Sequence, residues 1–268
     1  MEAAVQWADS PLEAQVASTI ITARHIVKRF VTDRKTTLAL DDCNIEVLQN
    51  EFVCIVGTSG CGKSTLLRML AGLEFPTEGS IVIKDRPVKG PGPDRGMVFQ
   101  SYTLFPWLTV SKNIEYGLKQ QGKPKAERQA IVERYLELMH LESFGDSYPN
   151  QLSGGMKQRV AIARALATNP DMILMDEPFG ALDPLTKAEM QQLIRNIWQQ
   201  EKPTIAFVTH DIEEAVFLAT KIYVMSARPG RVKKLIPVRL PYNRTQHLKG
   251  TPEFVKLRMQ INQMLNEN

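Results

Sequence analysis

The sequence predicts an α/β fold, a parallel sheet flanked by helices with a block of further helices inserted into it. Three observations carry this. Short β-rich runs alternate with helical patterns along most of the 268 residues. The apolar run Phe52-Val53-Cys54-Ile55-Val56 feeds a glycine-rich loop and then a helical stretch over residues 66–71, a strand–loop–helix unit. Between residues 100 and 151 the strand signal all but vanishes, while Ile131, Tyr135, Leu138 and Met139 fall at helical spacing.

The elements follow in order. Residues 1–18 are polar and lack a basic start followed by an apolar segment, so they read as a flexible extension and not as a secretory signal. Strands are expected at residues 20–27, 44–47, 52–56, 80–84 and 96–99, and again at 172–175, 204–208 and 221–225. The chain thus divides into a core of residues 19–100 and 168–228, a helical subdomain of residues 101–167, and a short tail of residues 229–268. That tail is basic and proline-containing at first and helical near residues 254–264.

Composition narrows the class. With 43% hydrophobic and 23% charged residues the chain can bury a full core. A net charge of +4, with basic residues interleaved among acids, gives no nucleic-acid signature. Cys43, Cys54 and Cys61 are too few for a zinc site, and their odd number argues against a disulfide framework. Cys61, inside the glycine-rich loop, reads as a small tolerated residue, with oxidation the minority alternative. No run approaches the roughly 18 to 20 apolar residues that span a bilayer, so any membrane association must come through a partner.

Gly57, Thr58, Ser59, Gly60, Cys61, Gly62, Lys63, Ser64 and Thr65 match the spacing of a phosphate-binding loop. Glycines let the backbone wrap close to phosphates, and the following helix N-terminus concentrates positive potential on them. Lys63 is expected to reach the β- and γ-phosphates, and Ser64 to place its hydroxyl on Mg2+. The ligand is a nucleoside triphosphate.

Two further constellations lie downstream. The apolar run Met172-Ile173-Leu174-Met175 ends in Asp176 and Glu177, carboxylates delivered to a sheet edge. Asp176 is expected to hold Mg2+, directly or through water, and Glu177 to orient and deprotonate the water that attacks the γ-phosphate. About 20 residues before this run, Ser153, Gly154 and Gly155 open a helix with a good N-cap and bare first amides, a second anion-binding end. One triphosphate does not need two such ends from one domain. The second end is therefore expected to serve a nucleotide bound on another subunit, making the site composite and ATP the glue of a dimer.

With these motifs in order, the chain resembles the nucleotide-binding subunit of ATP-binding cassette transporters, from about residue 20 to residue 225. Gly57 to Thr65 is similar to the Walker A loop, Gln100 to the Q-loop, Leu152 to Met156 to the signature motif, and Met172 to Asp176 to the Walker B strand. Glu177 matches the catalytic glutamate, Ala181-Leu182-Asp183 the D-loop, and His210 the switch histidine. The resemblance implies a RecA-like P-loop NTPase core with an antiparallel β subdomain and the inserted helices. It also implies that Phe30 stacks on adenine, that His210 senses the γ-phosphate, and that Gln100 touches Mg2+ or the attacking water. Asp183 would reach across a dimer. The signature departs from many members in carrying Met156 where they have Gln, which leaves the Ser153 hydroxyl and the glycine amides to make the phosphate contacts.

The runs Gly90 to Arg95, Leu104 to Val110, Ser153 to Arg159 and Asp176 to Asp183 look like those of importers for nitrate, sulfonate, taurine and similar small solutes. This implies a peripheral ATPase at the cytoplasmic face of the cell membrane, with transmembrane permease subunits, a second copy or homologous ATPase, and indirectly an extracytoplasmic substrate-binding protein. The apolar patch Phe105, Pro106, Trp107 and Leu108 reads as a docking groove for a short helix of the permease. A DNA-repair or translation-associated cassette ATPase is the alternative; only about 90 residues separate the phosphate loop from the signature, too few for a long coiled coil. The transported solute does not follow from this chain.

Overall fold

The computed structural model describes residues 18–32 and 35–267; the extension expected over residues 1–18 lies outside them except for Ser18. The described strands form two sheets. The smaller is antiparallel and pairs β2 (Lys35–Leu48) with β1 (Thr19–Thr32), β1 with β4 (Glu78–Ile83), and β4 with β5 (Arg86–Pro87). Lys84 and Asp85 both have positive φ, 44° and 61°, as a two-residue hairpin between β4 and β5 requires.

The larger sheet has the order β10-β9-β3-β8-β7-β6. Its members are β3 (Phe52–Val56), β6 (Arg95–Val98), β7 (Met172–Asp176), β8 (Ile205–Thr209), β9 (Lys221–Met225) and β10 (Val232–Pro237). All neighbours are parallel except β10 with β9. Both faces of the central strands are covered, which is why they read as continuous apolar runs. In β3, Phe52, Cys54 and Val56 enter the core shared with the helical insertion, and Val53 and Ile55 enter the core shared with the antiparallel sheet. That alternation is the period of two of a pleated strand.

After β6 come α2 (Val110–Gln120), α3 (Lys125–Leu138) and α4 (Gly154–Ala167). Val110, Ile114 and Leu118 form the buried stripe of α2. Tyr135 and Met139 are buried, and Ile131 and Leu138 half-buried, along α3 and its end. The Tyr135 hydroxyl donates to the Leu166 carbonyl at 3.2 Å and ties α3 to α4.

The strand expectations fall short in three places. β2 begins at Lys35, nine residues before the apolar signal at residue 44, because its first half is held by pairing with β1 and not by burial of its polar side chains. β5 is only two residues long and follows from the hairpin turn. β10, unexpected because Lys233 and Lys234 interrupt its apolar pattern, is an edge strand, where lysine is tolerated and discourages further pairing.

Residues 229–268, read as a short tail, thus begin by extending the main sheet and end in α7 (Pro252–Asn266), whose Phe254 and Ile261 are fully buried. Arg244 fixes this segment. It is buried and donates from Nη1 to the carbonyls of Val216, Phe217 and Ala219 at 2.8–3.1 Å, around the end of α6 (Ile212–Leu218).

Candidate active site

Strand order decides where the site residues meet. β3, β8, β7 and β6 are parallel neighbours, so the segments that follow their carboxyl ends emerge on one edge of the sheet. After β3 comes the loop of Gly57 to Gly62, after β8 His210, at the end of β7 Asp176 and Glu177, and beyond β6 Gln100.

The loop opens α1 (Lys63–Leu70), whose N-cap is Gly62 at φ 99°, with no side chain capping the first amides. A Cβ at Gly62 would lie 2.6 Å from Leu40 Cδ2, and one at Gly57 2.6 Å from Cys61 Sγ, so both positions need glycine. Thr58, Ser59 and Gly60 are exposed and Thr65 is half-buried. Lys63 is 3% exposed, and its ammonium donates to the carbonyls of Gly57 at 2.9 Å and Thr58 at 3.1 Å. A buried ammonium in a loop that leads into the uncapped amides of α1 is a fit for polyphosphate.

The Ser64 hydroxyl donates to Asp176 Oδ1 at 2.7 Å, and Asp176 is 5% exposed. Two oxygen donors converging beside that loop fit a hard divalent cation such as Mg2+. Glu177 has φ 44°, a left-handed conformation uncommon for a non-glycine residue, and its amide donates to the Val208 carbonyl of β8 at 3.0 Å. This turn aims the side chain back over the sheet edge, with Oε1 3.9 Å from Lys63 Nζ and Oε2 2.9 Å from His210 Nδ1. A carboxylate only accepts, so His210 Nδ1 donates, leaving Nε2 as its second polar atom. Gln100 is exposed, and its Nε2 lies 4.0 Å from the Cβ position of Gly180, itself 3.9 Å from Glu177 Oε2.

Other expected site residues lie apart from this cluster. Ser153 caps α4 by accepting from the Met156 amide at 3.3 Å, and Gly154 and Gly155 follow it. Their Cβ positions face Tyr102 Oη at 2.9 Å and Thr186 Cγ2 at 2.6 Å, and none of the nearest atoms belongs to the phosphate loop. Asp183 caps α5 (Pro184–Glu201), with Oδ1 accepting from the amides of Leu185 and Thr186 at 3.1 and 3.0 Å. Hydrogen bonds from Thr186 hold its carboxyl below the usual range. Phe30 is 40% exposed on β1, with Lys28 Nζ 5.0 Å from its ring centroid. Cys61 is 1% exposed, and burial pushes its thiol up, so it packs as a small apolar side chain.

Two groups near the site went unread in the sequence. The β9–β10 turn folds over the phosphate loop: Arg228 Nη2 is 3.2 Å from the Cβ position of Gly60, and a Cβ at Gly230 would strike the Cys61 carbonyl at 2.0 Å. The Pro229-Gly230 pair marks a turn but not what it covers. Lys187, on α5, donates to Asp211 Oδ2 at 2.6 Å, beside His210. Asp211 caps α6 by accepting from the Glu214 amide, and nothing in the local sequence pairs it with a lysine on another helix.

Comparisons with known proteins identify the family. A family model described as "ABC transporter" matches residues 40–180. The nitrate import ATP-binding protein NrtD of Synechocystis sp. is 50% identical over 242 residues, covering 88% of this chain and 91% of that protein. An aliphatic sulfonates import ATP-binding protein SsuB of Bacillus cereus is 42% identical over 236 residues, covering 88% and 93%. Among solved structures, the dimeric post-hydrolysis state of the ATP-binding cassette MJ0796 bound to ADP and Pi superposes with a TM-score of 0.73 at 34% identity, covering 83% of this chain and all of that one. A nucleotide loop, a paired Ser64 and Asp176, and a sequence alike over most of its length place this protein in the ABC transporter family.

Proposed function

We propose that this protein is the ATP-hydrolysing subunit of an importer for a small anionic solute of the nitrate or sulfonate class. It is an ATPase whose turnover is coupled to transport, with ATP and Mg2+ as its ligands. The observation that carries the hydrolytic reading is Glu177, held between Lys63 at 3.9 Å and His210 at 2.9 Å at the sheet edge. The names of the relatives supply the solute class and favour transport over a DNA-repair or translation role.

In this reading Lys63 and the amides at the start of α1 bind the β- and γ-phosphates. Ser64 and Asp176 hold Mg2+, which supplies charge neutralisation to the phosphates when bound. Glu177 accepts the proton of the attacking water, with Gln100 helping to orient it, and His210 Nε2 reaches the γ-phosphate. Phe30 offers an exposed ring to adenine. Ser153, Gly154 and Gly155 close over the nucleotide of a second cassette, with Asp183 at the seam. Moving such a switch from mostly open to mostly closed takes about 5.5 kcal/mol of differential binding.

Among the described residues no helix is long and apolar enough to cross a membrane. We place the protein at the cytoplasmic face, docked on transmembrane permease subunits that in turn meet a substrate-binding protein. Trp107, 70% exposed, supports a docking surface, with the Phe105 ring tilted against it at 5.7 Å, Tyr116 4.6 Å from Phe105, and Arg164 over Phe105 at 5.2 Å. Reconstituting the full chain with its permease in vesicles tests this. ATP-dependent accumulation of nitrate or an alkanesulfonate is expected, and ATP hydrolysis that no solute of this class stimulates overturns the assignment.

A further inference from the structure

We infer that Lys187 is a positioning residue for His210: its ion pair with Asp211 ties the turn that carries Asp183 to the turn that carries the histidine. The inference rests on the reading of Glu177 and His210 as the hydrolytic pair.

Lys187 sits one turn into α5, and its amide donates to the carbonyl of the N-cap Asp183 at 2.9 Å. Its ammonium leaves α5 for α6, reaching Asp211 Oδ2 at 2.6 Å and Glu214 Oε1 at 3.5 Å. Asp211 is thereby fixed on three sides. Oδ2 takes the lysine, Oδ1 caps α6 by accepting from the Glu214 amide at 3.1 Å, and its own amide donates to Thr209 Oγ1 at 3.0 Å. His210, between Thr209 and Asp211, is half-exposed, with Glu177 as the only hydrogen-bond partner of its ring among the described residues. The direction of the imidazole is therefore set by that one bond and by the backbone of the two residues that flank it.

The charges explain why a cation stands there. Glu214 is 2% exposed, and burial raises its carboxyl above the usual range. Desolvation opposes ionisation at Asp211 too, but the Lys187 ammonium and the Glu214 amide outweigh it and hold that carboxyl low. For Lys187, burial pulls the ammonium down while Glu214 and Asp211 more than restore it. Without the lysine two carboxylates converge on one half-buried spot and repel. A second link, Gln191 Nε2 to Glu214 Oε1 at 3.2 Å, keeps α5 and α6 together, so the pair aims a turn that other contacts already hold in the fold.

Steady-state hydrolysis of Mg·ATP by the full chain tests this. In Lys187→Met, kcat is expected to fall about 10- to 100-fold, the cost of misplacing a catalytic group by about 1 Å. The KM for ATP stays within about twofold, since Lys63 and the amides at the start of α1, which make most of the phosphate contacts, are untouched. Lys187→Arg recovers most of the rate. Lys187→Met added to His210→Ala makes it no slower, because both act through one group. Urea unfolding of each variant separates this from loss of fold, and if Lys187→Met does not fold, Asp211→Asn carries the same comparison. Wild-type kcat in Lys187→Met while His210→Ala keeps only a small measurable rate overturns this inference alone. So does additivity in the double variant, or failure of arginine to recover the rate. Full turnover in His210→Ala overturns the hydrolytic reading on which it stands.

Discussion

His210 Nδ1 lies 2.9 Å from Glu177 Oε2, while the other oxygen of the same carboxylate faces the Lys63 ammonium at 3.9 Å. One side chain thus bridges three segments, delivered by β3, β7 and β8. Glu177→Gln keeps the shape and removes the base. Turnover is expected to fall about 10²- to 10⁴-fold with ATP affinity retained, measured by phosphate release and by calorimetric nucleotide binding. Unchanged turnover removes Glu177 from the mechanism.

The bond from Ser64 to Asp176 places two oxygens beside the phosphate loop. Ser64→Ala and Asp176→Asn are each expected to raise the Mg2+ concentration for half-maximal hydrolysis by about tenfold or more. Titrating MgCl2 at fixed ATP reads this directly. A Mg2+ profile identical to that of the parent protein would exclude both as metal-holding residues.

Gly155 packs its α-carbon against Thr186, with 2.6 Å between its Cβ position and Thr186 Cγ2. Gly155→Ala is expected to destabilise by about 1–3 kcal/mol through overpacking. Thr186→Ser, which deletes only that methyl, should recover most of the loss in the double variant. Urea unfolding midpoints check it, and equal losses with and without Thr186→Ser would place the strain elsewhere.

Arg244 satisfies three carbonyls around the end of α6 from inside the core. Arg244→Met leaves those acceptors buried and unpaired, and a loss of about 2–4 kcal/mol is expected in equilibrium unfolding. A change within about 0.5 kcal/mol, the range of a surface substitution, would show that the C-terminal segment is not anchored through this residue.

Cys43, Cys54 and Cys61 are all buried free thiols. Burial pushes Cys43 up to about 11 and raises Cys54 and Cys61 as well. At pH 8 the folded protein should take up almost no iodoacetamide and the urea-unfolded protein should take up three equivalents, one for each cysteine. Rapid labelling of Cys61 in the folded state, followed by mass spectrometry, would contradict its packing against Gly57.

Local runs made much of this protein legible. The loop from Gly57 to Thr65, the apolar strand that ends in Asp176 and Glu177, and the cap at Ser153 are each short segments whose residue types dictate their own backbone. Central strands were readable because burial on both faces forces continuous apolar sequence. β10 and the first half of β2 were not, because edge pairing is made by backbone groups that every residue carries.

What the sequence determined by itself was the set of pieces: a phosphate loop, two acidic strand-end residues, a histidine after a strand and a capped glycine helix. Which of them meet was decided by the tertiary structure. Ser64 and Asp176 are 112 residues apart and touch because β3, β8 and β7 run parallel side by side, so their carboxyl ends share one edge. Lys187 finds Asp211 only because α5 and α6 pack against each other, a contact between two charged side chains that leaves no periodic mark in either helix.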